Sequence, residues 1–159
     1  MSFIDMTKSD VWSEDDIINR TEAIIANKFP KHRLDILSRK VQGQAMGYVL
    51  TAQEQADLMD YQAVCYHAGA EADLARADMA LLTAVLAHEV LMRRLAQEPQ
   101  PELVDDQPNP LYEQDAAERA DATIKVANAS PEVVALYELR NPVVEAPVEP
   151  VEVIDEVVA

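Results

Sequence analysis

The sequence has few of the residues on which many small folds and active sites depend. One cysteine and three glycines stand among 159 residues, which excludes a disulfide framework, a zinc ribbon with paired cysteines and a glycine-rich phosphate loop. No stretch reaches the roughly twenty apolar residues that cross a bilayer, and the first residues lack the basic and apolar regions of a secretory signal. We therefore expect a protein of the cytoplasm, without membrane contact, in which Cys65 is a reduced, packed thiol.

Positive charge is also scarce. Thirteen Lys and Arg residues stand against twenty-nine Asp and Glu residues, a formal net charge of -16, so general binding to nucleic acid is not expected. Residues 96–159 contain fifteen of the acidic and three of the basic residues. One basic cluster, Lys28 to Lys40, is compatible with a solvated surface, with contact to the acidic tail or another protein, or with contact to phosphate.

Apolar residues recur at helical spacing from Ser13 to Gln97 and predict two short helices and one long one. Ser13 precedes Glu14 and two aspartates, a pattern that opens a helix, and Pro30 ends it. A second helix from Lys31 is expected to close at the glycines that follow; its apolar residues are Leu34, Leu37 and Val41.

Thr51-Ala52-Gln53-Glu54 forms a capping box that opens a helix toward Gly69, where we expect a kink or a break. The helix from Ala70 to Gln97 has two apolar stripes. One consists of Leu74, Leu81, Val85, Met92 and Leu95, and the other of Met79, Leu82, Leu86 and Val90. Because a small bundle covers one stripe, we expect self-association through the second.

The composition changes after Glu98, where four prolines fall within twelve residues. We expect an N-terminal arm (1–12), a helical domain (13–97), a Pro-rich linker (98–110), short helices (111–140) and a disordered acidic tail (141–159). The short helices are expected to open at Asn109-Pro110 and at Ser130-Pro131-Glu132. The tail is expected to dock on a partner in extended form; its candidate binding residues are Val151, Val153 and Ile154. The predicted fold class is thus all-α: a helical hairpin or small bundle with a long central helix, followed by an acidic, Pro-rich extended region.

The candidates for catalysis and metal binding are weak. His88-Glu89 would open a zinc-protease motif, but Met92 stands where the second histidine is required. Cys65 and His67 point to opposite sides of a helix, so they do not form a metal site. We expect no cofactor, no metal and no enzymatic activity.

Residues 33–61 carry a helix, a turn with glycines, and Leu50-Thr51-Ala52-Gln53-Glu54 running to Tyr61. This stretch resembles the helix, turn and second helix, opening with Leu-Thr-x-x-Glu, of bacteriophage tail-fibre assembly and related tail accessory proteins. The resemblance implies a non-enzymatic chaperone or minor virion component, located in the host cytoplasm or the virion, that binds a viral structural protein or itself. The alternative is an acidic inhibitor or DNA mimic that acts on a nucleic-acid-binding host factor.

Overall fold

A computed structural model describes residues 2–143 of the chain. Five α-helices account for most of these residues, in agreement with the all-α prediction. The helices are α1 (Glu14–Lys28), α2 (Lys31–Gly43), α3 (Ala52–Ala96), α4 (Tyr112–Ala127) and α5 (Pro131–Arg140). A short 3₁₀ turn (Gln44–Met46) follows α2, and two short strands, β1 (Leu103–Val104) and β2 (Gln107–Pro108), lie between α3 and α4.

The helix starts are set by the predicted capping residues. Ser13 and Thr51 each form a full capping box, in which the hydroxyl accepts from the third helical N–H and that residue's carboxylate accepts from the cap N–H. Ser130 accepts from the N–H of Val133 and Pro131 occupies the first helical position. Between α2 and α3 the chain turns at Gly47, whose φ of 91° is a conformation that glycine adopts without strain.

Helix α3 is continuous through Gly69 and forms the axis of the molecule. Its 45 residues make a rod of about 67 Å. Helix α1 packs antiparallel to it, because Glu14 at the start of α1 accepts from Arg76 Nε at 2.9 Å while Phe29 at its end meets the Tyr61 ring at 5.4 Å. Helix α2 then lies beside the first turns of α3, and α4 and α5 pack against its last turns.

The buried core lies on the C-terminal half of α3. One cluster joins Ile17 of α1 to α3 and is closed by the arm, which we define as residues 2–12; the arm contributes Ile4, with Phe3 and Trp12 at its edge. A second cluster joins Val85 of α3 to α5. The arm therefore acts as a packed part of the fold although it has no helical or strand pattern.

The segment after α3 differs from the expected extended linker. The chain folds back at Asp105 and Asp106, both with positive φ, so that β1 and β2 pair in an antiparallel hairpin. Helix α4 begins at Tyr112 and not at Pro110, although Asn109 still accepts from the N–H of Leu111. Because α4 and α5 pack on α3, the expected domain boundary after Glu98 is wrong: prolines end a helix here without separating two units.

Within residues 2–143, none of the helices has both the length and the apolar composition that a bilayer crossing requires.

Candidate functional site

Buried ionisable side chains are the groups best placed to act as acids or bases, and Glu89 on α3 is one of them. Glu89 on α3 accepts from Arg140 Nε at 2.8 Å and from Asn141 Nδ2 at 3.2 Å. The hydrogen bond from Arg140 is the main cause that lowers the pKa of Glu89, while burial acts in the opposite direction. Arg140 also donates to the carbonyls of Met6 and Lys8. Glu89 is thus an ionised member of a structural clamp, not a group poised to exchange a proton.

A second buried carboxylate, Asp115 on α4, is engaged in the same way. It accepts from the Gln100 N–H at 3.0 Å, from Arg94 Nη2 at 2.6 Å and from Arg119 Nε at 2.9 Å. The hydrogen bond from the Gln100 N–H is the largest cause that lowers the pKa of Asp115. The hydrogen bond from Arg119 is the next largest cause that lowers it. These bonds join α3, the segment after it and α4, so Asp115 has a structural role.

The remaining weak candidates also lie within the packing. His88 is buried and meets the Tyr137 ring edge-on, with ring centroids 5.1 Å apart. Cys65 is half-buried, and its hydrogen bond with Tyr61 is the main cause that raises the pKa of the phenol. Within the part of the chain that the structure describes, no cluster of three or more His, Cys, Asp or Glu side chains could hold a metal ion.

A largely apolar groove lies between α2 and α3. It has a volume of about 320 Å³ and runs along one side of α2. Four aliphatic side chains line it, and the polar atoms come from Asp35, Ser38, Gln42 and Tyr61. We call it the α2–α3 groove; its principal lining residues are Leu34, Leu37, Ser38, Val41, Leu58 and Tyr61.

Two ion pairs join α2 to α3 beside the groove. Arg33 Nη2 lies 3.0 Å from Asp57 Oδ1, and Lys40 Nζ lies 3.3 Å from Glu54 Oε1. The Tyr48 hydroxyl donates to Glu54 at 2.9 Å and accepts from Lys40 at 3.0 Å. Exposed pairs of this kind contribute little to stability. They fix the side on which α2 attaches to α3 and leave its aliphatic side facing the groove.

The basic cluster surrounds the same end of the molecule. Arg33 and Lys40 are paired with α3 carboxylates, so part of the cluster contacts the chain's own acidic residues. Lys28 and Arg33 line a neighbouring cavity of about 420 Å³ between α1 and α3. The pairing accounts for two members of the cluster and leaves the expected contacts with the acidic tail, with another protein or with phosphate as predictions.

The structure corrects the expected self-association stripe. Leu82 is fully buried and Met79 nearly so, both within the cluster formed with α1 and the arm, and Leu86 packs at its edge. Val90 stands apart, with 61% of its surface exposed. Most of the stripe therefore belongs to the buried core, because α1 and the arm cover the apolar surface that was expected to pair with a second copy. Val151, Val153 and Ile154 lie outside the described residues.

The sequence pattern contained the groove residues without identifying the groove. Helical spacing places Leu34, Leu37 and Val41 on one side of α2, and Leu58 and Tyr61 lie in the first turns of α3. Helical spacing alone does not show that the two rows meet at an angle and leave an opening between them.

A scan against protein-family models, a search of curated proteins and a search of solved structures each give no match.

Proposed function

We propose that the protein is a non-enzymatic helical binding protein of phage virion assembly, acting as a chaperone or minor component. In this proposal it holds a segment of another structural protein in the α2–α3 groove. The observation that carries the proposal is the groove itself, an open channel walled by aliphatic side chains at one end of a long rigid helix. Apolar grooves of this kind receive side chains of a helix or an extended segment.

The surroundings of the groove define the chemistry of the partner. Residues 28–40 contain five Lys and Arg residues and one Asp, in a chain whose net charge is -16. A segment with aliphatic residues matches the walls, and acidic residues that flank it meet the basic residues around the groove rather than Asp35, which lines it. Ser38 and Tyr61 add hydrogen-bonding groups at the walls that can fix its orientation.

The position of the groove in the sequence supports a virion component as the partner. All the principal lining residues fall within residues 33–61, the stretch that resembles tail-fibre assembly and tail accessory proteins. The state of the buried carboxylates supports binding over catalysis, because Glu89 and Asp115 are both engaged in ion pairs that join secondary-structure elements.

Binding should be tested with substitutions inside and outside the groove. Ser38→Trp fills the groove without introducing a charge, and Val41→Asp introduces one into its wall. Ile36→Asp is the matched control, because Ile36 lies on α2, is exposed and does not line the groove. The proteins retained from infected cells by the tagged wild type should be identified, purified and titrated against each variant, with circular dichroism to check the helix content.

The proposal predicts a virion protein whose affinity falls at least about tenfold with Ser38→Trp and Val41→Asp and stays unchanged with Ile36→Asp. Equal affinity for all three variants would show that the groove is not the binding site. If the purified partner is instead a nucleic-acid-binding host factor that contacts the acidic surface, the alternative of an acidic inhibitor or DNA mimic replaces this proposal.

A further inference from the structure

One face of α3 remains open along much of its length. Opposite α1, Tyr66 is 76% exposed, Met59 69% and Leu74 49%, so nothing in residues 2–143 covers them. These large side chains alternate with alanines, and Leu81 continues the row as a half-buried residue, one side of which packs against the cluster of Val85 and α5. We call the row the exposed α3 face; it consists of Met59, Ala63, Tyr66, Ala70, Leu74, Ala77, Leu81 and Ala84.

The spacing keeps this row on one side of the helix. Successive members are three or four residues apart, with a mean close to the 3.6 residues of one helical turn. Two such helices can therefore pair over the whole row with little supercoiling. From Met59 to Ala84 the row is about 38 Å long.

The exposed α3 face carries no charge, although the chain as a whole has a formal charge of -16. The neighbouring carboxylate of Asp73 is neutralised by Arg76, whose Nη1 donates to it at 2.8 Å. A strongly acidic partner is repelled by most of the surface and meets no like charge along this row. A second copy of this chain presents the same uncharged row, so two copies meet no like charge where these rows pair.

The order of large and small residues fits a second copy in one orientation. When two copies of α3 run antiparallel about a twofold axis between Ala70 and Leu74, Met59 faces Ala84 and Tyr66 faces Ala77. In the same register Ala63 faces Leu81 and Ala70 faces Leu74. Each layer then contains one large and one small side chain, the condition for filling the space between two helices evenly.

A parallel pairing does not have this property. It places Tyr66 against Tyr66 and Ala70 against Ala70, so overfilled layers alternate with layers that leave voids. The antiparallel register is also self-complementary, as a twofold dimer requires.

We propose that the exposed α3 face is a homodimer interface in which two copies of α3 pair antiparallel. The α2–α3 groove lies on a different side of α3, since its α3 residues Leu58 and Tyr61 are not part of the row. The dimer therefore presents two grooves, one on each copy, and partner binding and dimerisation can be lost separately.

Sedimentation velocity of the full chain at about 50 µM, well above a micromolar Kd, tests the interface. The wild type should sediment as a dimer, and the double variant Tyr66→Glu with Leu74→Glu as a monomer with unchanged helix content. Val90→Glu is the matched control, because Val90 is exposed on α3 outside the row; it should stay dimeric. A monomeric wild type, a dimeric double variant, or a Val90→Glu protein that also dissociates would overturn the proposal.

Disulfide trapping tests the orientation. In a Cys65→Ala background, Tyr66→Cys and Ala77→Cys introduce thiols about 16 Å apart on one helix, beyond the reach of a disulfide within one chain. In the antiparallel dimer each new thiol faces its counterpart on the other copy, so oxidation should give a covalent dimer from the double variant and little from either single variant. Efficient trapping of the single variants would indicate a parallel pair. The variants Ser38→Trp and Val41→Asp should remain dimeric, which separates this proposal from that for the groove.

Discussion

The two halves of α3 belong to one helix but are stabilised in different ways. All eight buried residues of α3 fall between Ala68 and Glu89, where α1, the arm and α5 pack against it. Between Ala52 and His67 no α3 residue is buried, and α2 is attached through exposed ion pairs and one buried residue, Leu37. The C-terminal half thus sets the stability of the fold, whereas the N-terminal half carries the α2–α3 groove.

Truncating one leucine in each half should reveal the difference most directly. Leu82→Ala removes a fully buried side chain from the C-terminal half and should lower the free energy of unfolding by about 4 kcal/mol. Leu58→Ala removes a half-buried side chain at the groove and should cost about 1 kcal/mol. Urea unfolding followed by circular dichroism measures both values. Equal costs would mean that the two halves are equally packed and would remove the basis of the comparison.

The clamp at Arg140 should be the next most important contribution, because it ties α5 and the arm to the C-terminal half. Arg140→Met keeps much of the side-chain volume but removes the bonds to Glu89, Met6 and Lys8. With 8% of its side chain exposed, Glu89 then keeps a buried charge without its main partner. We expect a loss of about 3 kcal/mol in urea unfolding at pH 7.

The pH dependence provides the control for this variant. Because the folded pKa of Glu89 is lowered from its usual 4.5, the clamp's stabilisation is present above pH 4.5 and is lost as the pH falls through the folded pKa. The difference in unfolding free energy between wild type and Arg140→Met should therefore be smaller at about pH 3 than at pH 7. A difference that does not change with pH would show that the ionised pair is not its source.

The capping box at Thr51 should have a smaller effect, confined to the open half. Thr51→Ala removes the acceptor for the Glu54 N–H and should cost about 1 kcal/mol. Amide hydrogen exchange should accelerate over the first turns of α3 while protection near Val85 changes little. Uniform acceleration along α3 would indicate that the two halves open together.

The smallest expected change is a gain in stability at the boundary between the halves. Gly69 lies inside α3, and a β-carbon built there meets no atom within 4 Å. Gly69→Ala should therefore stabilise the protein by about 0.5–1 kcal/mol, since alanine loses less backbone freedom in a helix. The thermal midpoint should rise slightly; a fall would indicate that α1 needs the space above Gly69.

The local features were predictable from sequence because their causes lie within a few residues. Ser13, Thr51 and Ser130 form the expected caps, and the helical spacing gave the long central helix. Which apolar stripe of α3 becomes buried was not predictable, because the arm that covers Met79 and Leu82 has no periodic pattern of its own.

The other missed features depend on residues far apart in the chain. The Glu89–Arg140 pair joins residues 51 positions apart, and neither residue differs locally from an ordinary surface charge. The hairpin between α3 and α4 was missed because its turn uses Asp105 and Asp106 in a region whose prolines indicated an extended linker. The α2–α3 groove depends on how two correctly predicted helices meet, which is also a tertiary property.

The contact between Arg140 and the arm has a consequence for the order of events during folding. Arg140 Nη1 donates to the carbonyl of Met6 at 2.7 Å across 134 positions of the chain, whereas the contact between Glu14 and Arg76 spans 62. Closing the longer loop costs more chain entropy, and contacts of large sequence separation tend to form late. On a ribosome, α1 can pair with α3 as soon as α3 has emerged, but the arm is locked only after α5 has been made. A nascent chain therefore has the α2–α3 groove in place while the half that stabilises it is still incomplete.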